Sequence, residues 1–391
     1  MRNGMLVSAQ IGCGAFAESQ DFPNFAKNPK TMIKYCCDVS RERASHMAEK
    51  FGIEKVTSDF MEALKDPEVD MIKVCTSHEA HLPIIEAAAA AGKHIFCEKP
   101  MAMEEKEAFQ IIRAVRRGGV KLCVDLNRRM APSLHALRAK YLEHKKNPQH
   151  QPWRFIEKPR VPFKEETLTH FLINIQDESS SYRLVHLDPL HGGGVIIGES
   201  VHWLDLACWF FAPQVPVRIQ AWGSSRLSHG INLTFSEGDT ATIIFSCCGT
   251  FDYPKEIYEV TSNAALFRNK FFVENEYFGI PGANREVFPL QHDPFPETAP
   301  EGGFNSYMEK YKKLVQDAEN SKKVYNKFSV NKGHENMLDS FVDAILNDKP
   351  SPCDEIAGHV STYLAKQAIK SIELSQSLPV LYEYIRPAIQ V

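Results

Sequence analysis

The triplet Glu98-Lys99-Pro100 carries the most suggestive chemistry in this chain. It closes the run Gly92-Lys93-His94-Ile95-Phe96-Cys97, which reads as a helix stop and a short buried strand, and a helix is expected from Met101 to Arg117. A lysine at the carboxyl end of a parallel strand faces the crevice where such sheets bind ligands. Partial burial there lowers the basicity of an ammonium group and suits it to proton transfer. Pro100 biases Lys99 toward an extended backbone and admits a cis peptide in a tight turn. A lone Glu-Lys pair ahead of a helix is ordinarily a surface feature; the reason to read more into this one lies upstream.

There, the apolar strand Leu6-Val7-Ser8-Ala9-Gln10-Ile11 runs into Gly12-Cys13-Gly14-Ala15-Phe16-Ala17, a G-x-G-x-x-A form of the dinucleotide fingerprint. Gly12 allows the tight turn and Gly14 lets the backbone approach a pyrophosphate. The amides of Ala15 and Phe16, opening the next helix, then receive its negative charge. The second strand, Ile33 to Cys37, ends at Asp38, 24 residues after Gly14. That is close to the spacing of roughly 20 residues at which an acid binds the adenosine ribose. Asp38 equally suits the N-cap of a helix over Arg41 to Phe51. Its carboxylate repels a 2′-phosphate and so favours NAD over NADP, a preference that Arg41 and Arg43 weaken.

The elements that must hold these residues alternate through the first third. Strands are expected near 6–11, 33–37, 71–75, 94–97 and 120–126, and helices near 15–26, 41–51, 59–65, 80–91 and 101–117, the pattern of a doubly wound parallel sheet. After Arg129 the rhythm changes: 217–223, 229–235, 239–248 and 257–261 read as successive antiparallel strands. Two amphipathic helices follow, one with the stripe Met337, Leu338, Phe341, Val342, Ile345 and Leu346, the other from about Asp354 to Leu374. The expected fold is α/β: an N-terminal Rossmann domain over residues 1–127, and an α/β domain over 128–391 with a large, mostly antiparallel open sheet. The C-terminal helices are placed against the first domain. Residues 144–170 and 280–306 read as loops or insertions, and substrate specificity is expected near 150–190 and 265–305.

Composition narrows the function. A chain of 391 residues has ample core for two domains, and a net charge of −4 gives no reason to expect nucleic acid or a charged membrane surface. The ten cysteines form no C-x-x-C pair, and several fall in apolar runs, as buried thiols in a reducing cytosol do. Met1 to Ala17 superficially mimics a signal peptide, but Gln10, Gly12 and Gly14 break its apolar stretch, so a cytoplasmic protein is expected. No apolar run approaches membrane-spanning length.

In the second domain, His202 and Asp205 lie three apart and share a face if a helix starts here. His202 reads equally as a core histidine beside Trp203 and Trp209, and Asp205 either meets a substrate hydroxyl or bonds His202. Arg128 and Arg129 follow the last Rossmann strand, where a guanidinium can grip substrate hydroxyls or a carboxylate; Arg129 is the candidate. His186, Asp188 and His191 match no metal motif, so no metal is expected. Trp153, Tyr182 and Trp203 are of the type that stacks on a sugar ring, although such aromatics are more often core.

The glycine turn, Thr76 with His81, and Cys97-Glu98-Lys99-Pro100 resemble the glucose–fructose oxidoreductase and inositol dehydrogenase (Gfo/Idh/MocA) family. So do Asn127-Arg128-Arg129, Gly192-Gly193-Gly194 through His202 to Asp205, and the stretch from Gly333-His334 to Pro352. The motifs span nearly the whole chain in the family's order. The resemblance implies NAD as cofactor, with Thr76, His81, Glu98 and Lys99 joining the glycine turn and Asp38 around it. It also implies that Lys99 contacts the substrate hydroxyl and that His202 is the acid/base; Glu199, Arg129 and Asp205 are read beside them as candidate substrate contacts. A homodimer or homotetramer through the second sheet is implied as well. One departure stands out: many members carry aspartate four residues before the histidine, where this chain has Gly198, with Glu199 adjacent. The reading is therefore an NAD-dependent oxidoreductase acting on a secondary hydroxyl of a sugar, sugar derivative or cyclitol. Two alternatives stay open: a glycoside-cleaving enzyme that retains NAD and works by transient oxidation and elimination, and a non-catalytic ligand sensor.

Overall fold

The computed structural model describes residues 4–147, 168–178, 187–188, 191–250, 252–291, 298–321 and 330–381. Its first sheet consists of β1 (Leu6–Ile11), β2 (Thr31–Cys37), β3 (Lys55–Thr57), β4 (Met71–Val74), β5 (His94–Cys97) and β6 (Leu122–Val124). All pairs are parallel, in the order β3-β2-β1-β4-β5-β6. In this doubly wound order the winding reverses between β1 and β4, and a crevice opens at their carboxyl ends. Both strands are buried throughout, as parallel strands covered by helices on two faces must be. The half-buried edge strand β3 escaped the sequence reading because three residues show no period.

After the glycine turn the chain stays helical through a wider π turn at Ala17–Asp21 and the α-helix Phe22–Lys27. The helix expected from Met101 starts instead at Glu105. The Glu107 carboxylate accepts the N–H groups of Met103 and Glu104, both at 3.1 Å, and so caps the helix there. Met101, Ala102 and Met103 are left as a buried, non-helical stretch.

The second sheet has nine strands: β7 (His170–Gln176), β8 (Pro216–Gly223), β9 (His229–Phe235), β10 (Thr240–Ser246), β11 (Glu256–Ser262), β12 (Ala265–Lys270), β13 (Glu274–Phe278), β14 (Glu286–Val287) and β15 (Leu378–Pro379). Their order is β14-β13-β12-β11-β7-β10-β9-β8-β15, and only β7 and β10 run parallel. Residues 265–270 and 274–278, expected among the specificity loops, are therefore strands. Asn269 interrupts their apolar alternation yet is buried, because it donates to Asn275 at 2.7 Å and accepts the Phe272 N–H at 2.9 Å. The loop expected to Asn305 likewise ends at the helix Phe304–Ser321.

Two helices close the chain. His334–Leu346 buries Met337, Leu338, Phe341 and Val342, and Phe341 stacks on Phe96 of β5. Glu355–Leu374 is capped by Asp354, which accepts the Ala357 N–H at 3.0 Å, and reaches both sheets. Its Thr362 hydroxyl donates to the Ala102 carbonyl, and its Ser371 hydroxyl accepts the Ala221 N–H of β8. A Cβ on Gly358 of this helix would lie 2.6 Å from Met101 Sδ, so glycine permits the close approach. Among the described residues no helix is long and apolar enough to cross a membrane.

Candidate active site

The site is built where the carboxyl ends of β1, β4 and β5 meet the second sheet. Gly12 turns the chain with φ +94°, and a Cβ there would lie 2.1 Å from the Cys75 carbonyl oxygen, so only glycine fits. Gly14 has open space where a Cβ would point. Beyond it Ala15 and Phe16 open the helix and, with Gly14, line a cleft of about 600 Å³. This bare turn, with helix N-terminal amides beside an open space, fits a dinucleotide pyrophosphate.

Asp38 ends β2 and braces the turn. Its Oδ2 accepts the Cys13 N–H at 2.8 Å, while Oδ1 accepts the Ser40 N–H at 2.8 Å and Arg43 Nη2 at 3.0 Å. A carboxylate has about four acceptor positions; three are filled, leaving one for a ribose hydroxyl. Capping of the helix Arg41–Phe51 falls to Ser40, whose hydroxyl accepts the Arg43 N–H, rather than to Asp38.

The Lys99-Pro100 peptide is cis. His81, expected among the cofactor contacts, is fully buried and outside the cleft lining. Burial holds its pKa down to about 4, and the neutral ring donates from Nδ1 to the Pro100 carbonyl at 2.9 Å. His81 thus supports the turn from beneath, and Thr76 lines the cleft in front. Glu98 also borders the cleft but accepts Lys73 Nζ at 2.6 Å. Lys73 is buried, with Asp21 at 3.3 Å and Asp125 at 3.9 Å; these carboxylates keep it charged against the cost of burial. Asp125 is bonded in turn by His334 Nδ1 at 2.9 Å.

Facing this wall, a π turn at Ile196–Ser200 runs directly into the helix Val201–Phe211, a local widening often met at functional sites. Lys99 Nζ donates to the Gly198 carbonyl and to Glu199 Oε1, each at 2.7 Å. Burial opposes the charge on Glu199, but Lys99 and then Lys255 bring its pKa down to about 2. A Cβ at Gly198 would make only ordinary contacts, the nearest at 3.6 Å, so the site uses this residue's carbonyl rather than its lack of a side chain. His202 lines the cleft and is buried, with Nδ1 unpartnered. Burial, reinforced by Arg128 and Lys99, pushes its pKa well below the ordinary value, so the imidazole is neutral.

Arg129 and Asp205, placed by the sequence reading on the substrate side, instead bind each other. Arg129 Nε meets Asp205 Oδ2 at 2.9 Å, Nη2 meets Oδ1, and Nη1 donates to the Pro352 carbonyl. Neither lines the cleft. The neighbouring Arg128 does, together with Lys255 and Lys332, two cations the sequence reading passed over. Lys332 precedes Gly333-His334, a motif already noted, but Lys255 carries no local signal. Trp203 is core, donating to Glu256 at 3.2 Å. His191 bonds Asp188 at 3.1 Å, whereas His186, Trp153 and Tyr182 lie outside the described residues.

Residues 8–126 match the family described as an oxidoreductase family with an NAD-binding Rossmann fold, Gfo/Idh/MocA. The chain is 27% identical to the oxidoreductase YrbE of Bacillus subtilis over 274 residues, 66% of this chain and 73% of that one. It is 38% identical to the myo-inositol 2-dehydrogenase of Thermotoga maritima, over 24% of this chain and 28% of that enzyme. In overall fold it resembles a levoglucosan dehydrogenase solved with NADH and levoglucosan, with a TM-score of 0.74 at 17% identity over 96% of this chain and 99% of that one. Over residues 8–126 the parallel sheet, the glycine turn and this match agree on the NAD-binding Rossmann fold of the Gfo/Idh/MocA oxidoreductase family.

Proposed function

We propose that this protein is an NAD-dependent oxidoreductase that oxidises a secondary hydroxyl of a sugar, sugar derivative or cyclitol, with Lys99 and His202 handling the proton. The observation that carries the reading is that both side chains line the cleft that Gly14, Ala15, Phe16 and Thr76 also border. Several named relatives, among them the inositol and levoglucosan dehydrogenases, act on such substrates, which supports the substrate class. Bound NAD would rest on the glycine turn and Asp38 and supply the hydride acceptor.

This chain's residues supply position and proton transfer. An ammonium has three donors; Lys99 spends two on Gly198 and Glu199, which aim the third at a substrate oxygen. There it stabilises negative charge as the hydroxyl proton leaves. Neutral His202 is in the state required to accept that proton, and it returns it in the reverse direction. Glu199 orients Lys99. The preference for NAD over NADP rests on Asp38 at the end of β2.

The test starts with purified protein. Bound dinucleotide is released and identified, or NAD is titrated into empty protein, and sugars and cyclitols are then screened for NADH formation. Lys99→Met and His202→Asn are each expected to lower turnover about 10²–10⁴-fold while NAD still binds. Absence of dinucleotide binding, or full turnover in both variants, would refute the assignment.

A further inference from the structure

The second wall of the cleft is ordered by charge. Arg128, Lys255 and Lys332 line it, while the carboxylates that hold them, Glu256 and Asp177, stand behind and are almost wholly buried. Glu256 Oε1 accepts Arg128 Nη2 and Lys332 Nζ, both at 3.0 Å, and Asp177 Oδ2 accepts Lys255 Nζ at 2.6 Å. Tyr258 and Trp203 add their own donors to Glu256 Oε2. The two lysine side chains each keep 15% exposure. Of the carboxylates that do line the cleft, Glu98 is bound to Lys73, and Glu199 is bound to Lys99 while also feeling Lys255 and Arg128.

Cations in front and anions behind make an electropositive wall, and a half-enclosed cleft focuses that field. Burial brings the Lys332 ammonium down to about 8; Glu256 opposes that fall, and Arg128 and Lys255 add to it. Neutral polyol hydroxyls need no such array, since backbone and amide groups bind them without burying charge. A carboxylate or phosphate, in contrast, is matched by charge-assisted hydrogen bonds from ammonium and guanidinium groups.

We propose that the substrate carries an oxyanion, a carboxylate or a phosphate, seated against Lys332, Lys255 and Arg128 while its reacting hydroxyl lies at Lys99 and His202. The proposal rests on the oxidoreductase reading and narrows its substrate to an acidic sugar derivative. The bound anion also offsets the positive field around His202 and thereby favours the protonated imidazole formed during oxidation.

The experiment uses full-length protein, first titrated with NAD and then, NAD-loaded, titrated calorimetrically with D-glucuronate, D-glucose 6-phosphate and D-glucose. At least one anion is expected to bind about tenfold or more tightly than D-glucose, from one added charge-assisted contact. That preference should shrink with added salt. Whichever anion binds identifies the group as carboxylate or phosphate. Lys332→Met should abolish the preference and Lys332→Arg should retain most of it, with melting curves confirming that both fold. The proposal is overturned if D-glucose binds as well as the anions, if neither anion binds NAD-loaded protein, or if folded Lys332→Met keeps the preference. Failure of the NAD titration itself, by contrast, counts against the oxidoreductase reading.

Discussion

Replacing Lys99 by methionine should reveal the Lys99–Glu199 pair in stability as well as in turnover. Both hydrogen bonds from Lys99 are 2.7 Å long, and the Glu199 side chain is 26% exposed, so solvent screens the pair only in part. The fall in the Glu199 pKa from 4.5 to about 2 corresponds to about 3 kcal/mol of favourable interaction with the carboxylate. Because the folded value is the lower one, this stability is fully present above the unfolded value and is lost as pH falls toward 2. Lys99 is the foremost of the cations responsible, so Lys99→Met should cost about 2–3 kcal/mol near pH 7 and only about 1 near pH 3. Urea unfolding of both proteins at the two pH values measures this. With Glu199→Gln as background, the same lysine change should cost under about 1 kcal/mol, the signature of direct coupling. Equal losses at both pH values, or an undiminished loss in the glutamine background, would refute the account.

Four further outcomes follow from the same geometry. Gly12→Ala meets the Cys75 carbonyl at 2.1 Å with φ +94°, so it should lower stability by more than about 2 kcal/mol in denaturant melts. Gly14→Ala, with open space around its new methyl, should fold normally and lose NAD affinity in a titration. Asp38→Ala removes the acceptor shared by Cys13, Ser40 and Arg43; NAD should bind more weakly and the ratio of NADP to NAD affinity should rise, because Arg43 is released to meet a 2′-phosphate. Asp205→Ala strands the largely buried Arg129 charge and should cost about 3 kcal/mol in unfolding experiments. A raised KM at unchanged stability would instead return Asp205 to the substrate.

What could be read from the sequence was what local rules control. Gly12 and Gly14 announce themselves because the turn admits nothing larger at Gly12, and Asp38 because a strand of fixed pitch ends there. Lys99 stands out because a strand, a proline and a helix bracket it within a few residues. The partners of charged groups were not readable in this way. Nothing near Arg129 says that it will meet Asp205, or that Arg128 will turn to Glu256 and line the cleft; each choice depends on how two sheets pack. Strands β12 and β13 were missed for a similar reason: Asn269 and Asn275 look like loop residues until each is seen to satisfy the other. That His81 lies buried beneath the turn, bonded to the Pro100 carbonyl, is likewise a tertiary fact.

The helix Glu355–Leu374 has a mechanical consequence. Twenty residues of α-helix form a strut about 30 Å long. Near one end Gly358 presses on Met101 and Thr362 holds the Ala102 carbonyl; near the other, Ser371 is fastened to β8. Met101 is two residues from Lys99, so the strut joins the rim of one wall to the frame of the other. The two walls of the cleft are therefore not free doors on a common hinge. Any movement that widens the gap must slide or tilt this strut, and the lysine's footing travels with it.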